Sequence, residues 1–160
     1  EHFSQANLLK INFHSLRGLA IIESVSGNLS EAIGLYQKAL KVSNNNEDLY
    51  LEFVKFLINK ENFDQLEILL KDQPKEIENH DILFLAKAYI ALNNNQLNVA
   101  RKLIVREFNT IREGAGITTN IWFETYYRPE EKNLNRKLTD SEKEQIRIKN
   151  PPPAIINYQM

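Results

Sequence analysis

The chain has 160 residues, 42% of them hydrophobic and 26% charged, with a formal net charge of −1 at pH 7. This length supports one domain with a sizeable core, and the near-zero charge excludes a global field that would attract nucleic acid or an anionic membrane. The chain has no cysteine, which excludes disulfides and suits a reducing compartment. No apolar run approaches the roughly 18 residues that a membrane span needs. We therefore expect a cytoplasmic protein without a membrane or nucleic-acid partner.

Helices are the predicted elements throughout the chain. Glycine and proline are scarce, at five each, and long stretches carry apolar residues at helical spacing. Asn44-Asn45-Asn46 and Gly114-Ala115-Gly116 are turn signals between these stretches. In chain order, the first six helices are predicted at residues 13–26, 29–43, 47–60, 62–72, 81–93 and 96–110.

These six helices form three copies of one sequence pattern. Gly27–Leu40 aligns with Glu61–Pro74 and with Asn95–Phe108, and the apolar positions coincide in all three copies. A period of 34 in a helical chain resembles the tetratricopeptide repeat, most closely over Ser15–Asn46. The resemblance implies an all-α fold, a right-handed superhelical solenoid of antiparallel helix pairs, with about three repeats in residues 1–112.

The chain also departs from that repeat pattern. Glu23, Leu57 and Ala91 stand where the repeat usually has a tyrosine, and the proline that usually closes each repeat is absent. In the third copy Lys87 occupies a position that is apolar in the other two.

The register ends after Gly116, where Trp122 occupies the position equivalent to the small Ala88. We predict a seventh helix around 117–127 that closes the array, followed by a polar stretch. Thr139 and Glu142 have the spacing of a capping box, which predicts an eighth helix over 140–149. Residues 113–149 are thus predicted as capping helices.

Residues 150–160 are predicted as an extended, proline-rich tail that packs on the array, with a disordered tail and a partner ligand as the alternatives. The predicted structural cap consists of Trp122, Ile156 and Tyr158.

The end of the chain, from Ile121 onward, carries a second resemblance. It is similar to the end of an uncharacterised bacterial family that joins a β-rich amino-terminal domain of unknown function to tetratricopeptide repeats. The matching residues are Trp122, Phe123, Glu124, Leu138, Thr139, Pro151, Pro152, Pro153, Ile156 and Met160. The resemblance implies that Met160 ends the natural chain and that further sequence precedes Glu1.

The sequence offers no constellation of catalytic, cofactor-binding or metal-ligating residues. His2, His14 and His80 are far apart, and Gly114-Ala115-Gly116 lacks the further glycine and the lysine of a phosphate-binding loop. We therefore predict that this segment is not an enzyme and binds no cofactor; for a longer parent protein the question stays open.

A tetratricopeptide-like array would offer a concave groove lined by the first helix of each repeat. The predicted groove is unusually apolar, which favours either packing against another part of the parent or binding of a peptide. Its candidate residues are Arg17, Ile21, Leu51, Lys55, Ile58, Leu85, Tyr89 and Leu92.

The predicted function is a scaffold for protein–protein interaction in a larger bacterial protein. Its partner is a protein, a peptide or the amino-terminal domain of the same chain, and a homodimer is left open. The alternative is a non-catalytic accessory or dimerisation module of a carbohydrate-active enzyme whose catalytic domain lies upstream.

Overall fold

A computed structural model describes residues 12–109 and 115–157, and within these ranges all regular structure is helical. The chain divides into two compact units, Glu1–Phe53 (unit 1) and Val54–Met160 (unit 2). A single 3-10 turn lies at Lys75–Ile77. The helices are α1 (Phe13–Val25), α2 (Leu29–Val42), α3 (Glu47–Asn59), α4 (Phe63–Lys71), α5 (Asp81–Asn93), α6 (Leu97–Ile104), α7 (Ala115–Leu134), α8 (Asp140–Lys149) and α9 (Ala154–Asn157).

The all-α fold class is confirmed, and the first five helices lie within a residue of their predicted bounds. Helices α1, α3 and α5 begin at residues 13, 47 and 81, so the period of the sequence is a period of helix starts. The right-handed superhelix stays a prediction. No helix in the described ranges is long and apolar enough to cross a membrane.

Left-handed backbone conformations mark three of the turns between helices. Gly27, Glu61 and Asn95 have φ angles of 86°, 52° and 58°, and each lies just after a helix. Glycine adopts this conformation without steric cost, and asparagine tolerates it, whereas glutamate has a Cβ that crowds the following carbonyl oxygen. The turn at Glu61 is therefore strained relative to the other two.

Helix α6 ends at Ile104 rather than at the predicted residue 110. Beyond this point the Asn109 N–H donates to Oδ2 of Asp81 at 2.6 Å. The helical ladder ends before this contact, since the Arg106 N–H donates to the carbonyl oxygen of Ile104 at 2.9 Å. The bond to Asp81 then holds the following residues against the start of α5.

Helix α7 extends to Leu134 through the stretch predicted as a polar connection, and it contains Pro129. Proline has no N–H to donate to the carbonyl oxygen four residues earlier, which here belongs to Thr125. That oxygen instead accepts a hydrogen bond from Nη2 of Arg101 in α6, at 3.3 Å. A side chain from a neighbouring helix thus satisfies the group that the proline leaves unpaired.

Helix α8 begins as the sequence predicts. The Glu142 N–H donates to Oγ1 of Thr139 at 3.3 Å, and the Thr139 N–H donates to Oε2 of Glu142 at 2.8 Å, which completes the capping box.

The proline-rich tail differs from its predicted extended form, because residues 154–157 form the short helix α9. Its one turn is closed by the Ile156 N–H, which donates to the carbonyl oxygen of Pro153 at 2.9 Å.

Each unit has its own buried residues. In unit 1, α1 packs on α2 through Leu16 and Ala20, and Tyr36 stacks on Phe53 with ring centroids 4.9 Å apart. In unit 2, a cluster that we call the α9 site joins α5, α6, α7 and α9. Its buried members are Leu85, Ala88, Ala91, Leu92, Ala100, Ile104, Phe108, Ile121 and Ile156.

Candidate protein-interaction surface

Arg17, a predicted groove residue, is held by an ion pair within unit 1. Its Nε lies 2.8 Å and 2.7 Å from the two carboxylate oxygens of Glu52, and the Tyr36 hydroxyl donates to the same carboxylate at 2.9 Å. The Glu52 carboxylate raises the pKa of Arg17, and burial together with the hydrogen bond to Glu52 raises the pKa of Tyr36. The Arg17 side chain therefore joins α1 to α3 within this unit.

Ile21, another predicted groove residue, lies on an exposed apolar surface of α1. We define the α1 apolar face as Leu19, Ile21, Ile22 and Val25, whose exposed fractions are 48%, 40%, 59% and 84%. Residues three and four apart on a helix are neighbours, so these side chains are contiguous. A contiguous row of exposed aliphatic side chains is a feature of protein-contact surfaces.

Leu51, Lys55 and Ile58 lie on α3. Leu51, in unit 1, is half-buried, whereas in unit 2 Lys55 is exposed and Ile58 is half-buried. Tyr89 of α5 is half-buried and stacks on Phe63, with ring centroids 5.9 Å apart. Burial raises the pKa of the Tyr89 hydroxyl, and the neighbouring charge of Glu61 raises it further.

Leu85 and Leu92 were predicted in the same groove, but both are only 3% exposed and belong to the α9 site. A ligand can contact neither side chain unless the residues that pack around it move apart.

The three predicted cap residues have different surroundings. The indole Nε1 of Trp122 donates to the carbonyl oxygen of Asn150 at 3.0 Å. Ile156 is fully buried in the α9 site. Tyr158 lies outside the described residues. The role of this set as a cap stays a prediction.

The burial of the Asp81 carboxylate in unit 2 was not predicted from the sequence. Asp81 is 5% exposed; its Oδ1 lies 3.9 Å from Nη2 of Arg106, whose guanidinium lies 3.6 Å from the centroid of the Phe84 ring. The position of Asp81 at the start of α5 was visible in the sequence, but its burial depends on Asn109 and Arg106, which are distant along the chain. The arrangement is a helix-terminal ion pair and needs no ligand to satisfy it.

A second cluster of charges surrounds the turn between α7 and α8. A cavity of about 380 Å³ is lined by Arg128, Glu131, Lys132, Asn135, Arg136 and Lys137. Glu131 accepts from Nζ of Lys137 at 2.7 Å, and this bond holds the pKa of Glu131 below its ordinary value. Arg136 is paired with Glu142 at 2.7 Å and 2.9 Å. These two pairs neutralise two of the four positive charges that line the cavity, and a third, that of Arg128, is paired with Glu124 at 3.2 Å.

In the described part of the chain, no group of three or more histidine, aspartate or glutamate side chains has the geometry of a metal site. The contacts above are ion pairs, helix caps and apolar packing.

The helical fold places the chain in the class of all-α domains. A family model described as "Transcriptional regulator, SIX1, N-terminal SD domain" matches residues 45–154. Because the match covers more than half of the chain, the chain belongs to the family of SIX1 N-terminal SD domains. This is a family of regulatory, non-catalytic domains, in agreement with the prediction that this segment is not an enzyme. No curated protein and no solved structure matched the chain.

The family match corrects both resemblances. The tetratricopeptide assignment is wrong, and so is the assignment to a bacterial family with a β-rich amino-terminal domain. Helices of similar length separated by short turns place successive helix pairs at a nearly constant spacing without belonging to that repeat family. The missing tyrosine and closing proline were the signals against it.

The family match also contradicts both predicted functions. A scaffold of a bacterial tetratricopeptide protein and an accessory module of a carbohydrate-active enzyme are both wrong, because the matching family belongs to transcriptional regulators.

Proposed function

We propose that this chain is a protein-interaction domain of a transcriptional regulator and that it works in the nucleus rather than in the cytoplasm. The observation that carries the proposal is the match of residues 45–154 to the SD domain family of transcriptional regulators. The net charge of −1 supports a protein partner over direct contact with nucleic acid, since phosphate backbones attract basic surfaces.

The α1 apolar face is the surface that we assign to the partner. Four aliphatic side chains on one helix suit a partner that presents an apolar surface, such as an amphipathic helix. Val25 and Ile22 are its most exposed members, at 84% and 59%, so they have the most apolar area to lose from water on binding.

We propose that the remaining groove residues make smaller contributions to partner binding. Ile58 and Tyr89 are partly exposed and accessible to a partner of unit 2. Arg17 and Lys55 would contribute charge at the margin, where charged pairs guide association more than they add affinity. Leu85 and Leu92 would take part only if the α9 site opens.

Fusion of the chain to a heterologous DNA-binding domain, expressed in nuclei with a reporter gene, tests the function. We expect the fusion to change transcription of the reporter, and Ile22→Asp to abolish that change because a carboxylate in the contact would be desolvated. Proximity labelling of the same fusion should recover nuclear proteins that are lost with Ile22→Asp.

Ile148→Asp is the matched control, because Ile148 of α8 is equally apolar and 72% exposed. It should leave both the reporter and the labelled proteins unchanged. A fusion that is folded and nuclear but leaves the reporter unchanged would contradict the regulatory role. Equal effects of the two substitutions would contradict the α1 apolar face. Sedimentation of the wild-type chain and of Ile22→Asp separately tests whether a homodimer uses this face.

A further inference from the structure

Among the described side chains of α9, the one that is buried in unit 2 is Ile156. Ile156 is fully buried, whereas Ala154 and Ile155 on the same turn are exposed. The side chains around Ile156 come from other helices, with Leu85 and Leu92 on α5 and Ile121 on α7. In its described part the segment thus resembles a peptide whose isoleucine side chain fills an apolar site.

Helix α9 has little stability from its own backbone hydrogen bonds. Helix α9 has four residues, too few for a helix that is stable by itself. Pro151, Pro152 and Pro153 precede it and have no N–H groups to form a backbone ladder with the rest of unit 2. At its base the segment is fixed by the bond between Trp122 Nε1 and the carbonyl oxygen of Asn150.

The family match ends at residue 154, so Ile156 lies beyond it, whereas Leu85, Leu92, Phe108 and Ile121 lie inside it. The matched domain therefore contributes the walls of the α9 site, and the residue that fills the site comes from outside the matched region.

We propose that α9 is an internal ligand of the α9 site, and that a protein partner enters this site by displacing it. The partner presents a branched aliphatic side chain on a short helix, because that is the chemistry that the site holds now. This proposal rests on the proposed function, since it gives the interaction domain a second, regulated contact. Competition from the docked α9 lowers the apparent affinity of such a partner to its intrinsic affinity multiplied by the fraction of molecules in which α9 is undocked.

Thiol labelling measures whether α9 leaves its site without unfolding of the unit. The chain has no cysteine, so Ile156→Cys introduces a single thiol. Ile104→Cys is the matched control, because Ile104 is also fully buried in the α9 site but belongs to α6. We expect the thiol at position 156 to react with a thiol reagent at least about tenfold faster than the thiol at position 104, at a rate that does not depend on low concentrations of urea. Equal rates that rise together with urea would overturn the proposal.

A peptide experiment tests the site itself. The probe is a fluorescein-labelled synthetic peptide with the sequence of residues 150–160, NPPPAIINYQM. We expect the full-length Ile156→Asp variant, whose own anchor is charged, to bind this peptide at least about tenfold more tightly than the wild-type chain does. A peptide with aspartate in place of the second isoleucine should not bind. Absence of peptide binding by the variant, with its helical circular dichroism intact, would contradict the proposal.

These outcomes are separate from those of the reporter assay, because neither labelling nor peptide binding requires a nuclear partner. If Ile156→Asp does not fold, the labelling rates of the two cysteine variants decide the question. The reporter could respond to the fusion while the thiol at position 156 stays as protected as the one at position 104. That outcome would contradict the displacement of α9 but not the regulatory function. Fast labelling at position 156 together with an unchanged reporter would contradict the regulatory function but not the displacement of α9.

Discussion

The indole Nε1 of Trp122 donates a hydrogen bond of 3.0 Å to the backbone carbonyl oxygen of Asn150. The bond joins the middle of α7 to the carboxyl-terminal cap of α8, at the residue from which the segment leading to α9 departs. It positions that segment over α7 with one donor and one acceptor.

We predict that Trp122→Phe destabilises the chain by about 1 kcal/mol, since it removes this bond and leaves the carbonyl of Asn150 without its donor. Urea unfolding followed by circular dichroism measures the change. Tyr126→Phe is the control on the same helix, since no contact in the described ranges uses the Tyr126 hydroxyl, and it should leave the midpoint unchanged. A smaller effect for Trp122→Phe than for Tyr126→Phe would show that the indole bond contributes nothing.

Ile155 and Ile156 are adjacent, but they are 39% and 0% exposed. We expect Ile156→Ala to cost about 2 kcal/mol, near the lower end of the range for truncating a buried isoleucine, because the loss is limited by the free energy that docks α9. Ile155→Ala should change the free energy of unfolding by less than about 0.5 kcal/mol. Differential scanning calorimetry compares the two melting temperatures. Deletion of residues 151–160 should also lower the melting temperature. Equal effects of the two alanine variants would mean that Ile156 is not an anchor.

Arg101 and Pro129 should be energetically coupled through the carbonyl oxygen of Thr125. In a Pro129→Ala chain the alanine N–H can donate to that oxygen, so the bond from Arg101 is no longer needed. We predict that Arg101→Met costs about 1 kcal/mol more in the wild-type chain than in Pro129→Ala. A double-mutant cycle with urea unfolding measures this difference. Arg101 also donates to the Thr125 hydroxyl at 2.7 Å. Pro129→Ala should leave that bond in place, so its contribution cancels in the cycle. A coupling energy of zero would contradict the role assigned to Arg101.

Glu61 holds a left-handed conformation that glycine would adopt more readily. We expect Glu61→Gly to stabilise the chain by up to about 1 kcal/mol, because the steric cost of the Cβ exceeds the additional freedom of the unfolded chain. Glu67→Gly is the matched control in the interior of α4, where the same substitution should cost about 1 kcal/mol. Thermal melts of the two variants should therefore shift in opposite directions, and a shift of both to lower temperature would contradict the strain at Glu61.

The capping box predicts a specific response to acid. Hydrogen bonds from Arg136 and from Thr139 lower the pKa of Glu142 from 4.5 to about 2. Because the folded-state pKa is depressed, the stabilisation is complete above pH 4.5 and is lost as the pH falls through 2. The difference in urea midpoint between wild type and Glu142→Gln should therefore be largest near pH 6 and should shrink between pH 4.5 and pH 2. A constant difference would show that Glu142 is not the group that titrates.

Local signals in the sequence were sufficient for most of the helices. Thr139 and Glu142 are three residues apart, so the bonds that start α8 are formed within one turn and are visible in the sequence. Docking of Ile156 was also predicted, because an isoleucine side chain is costly to leave in water. What the sequence could not supply were contacts between distant residues. The passage of α7 through Pro129 depends on Arg101, and the path of the chain after α6 depends on Asp81.

The site was less predictable than the helices. The groove was derived from repeat positions of a family to which the chain does not belong, and it therefore included Leu85 and Leu92 in a surface. The exposed row on α1 could have been recognised from Leu19, Ile22 and Val25, since a helix whose apolar residues surround its axis cannot bury all of them in one unit.

The bond from Arg101 to Thr125 also has a kinetic consequence. The carboxyl-terminal half of α7 contains a proline and is a poor helix former until a donor reaches the carbonyl of Thr125. That donor arrives only when α6 has docked on α7, so docking of α6 should favour the last turns of α7. Folding of this region should therefore pass through a transition state in which the contact between α6 and α7 precedes the last turns of α7.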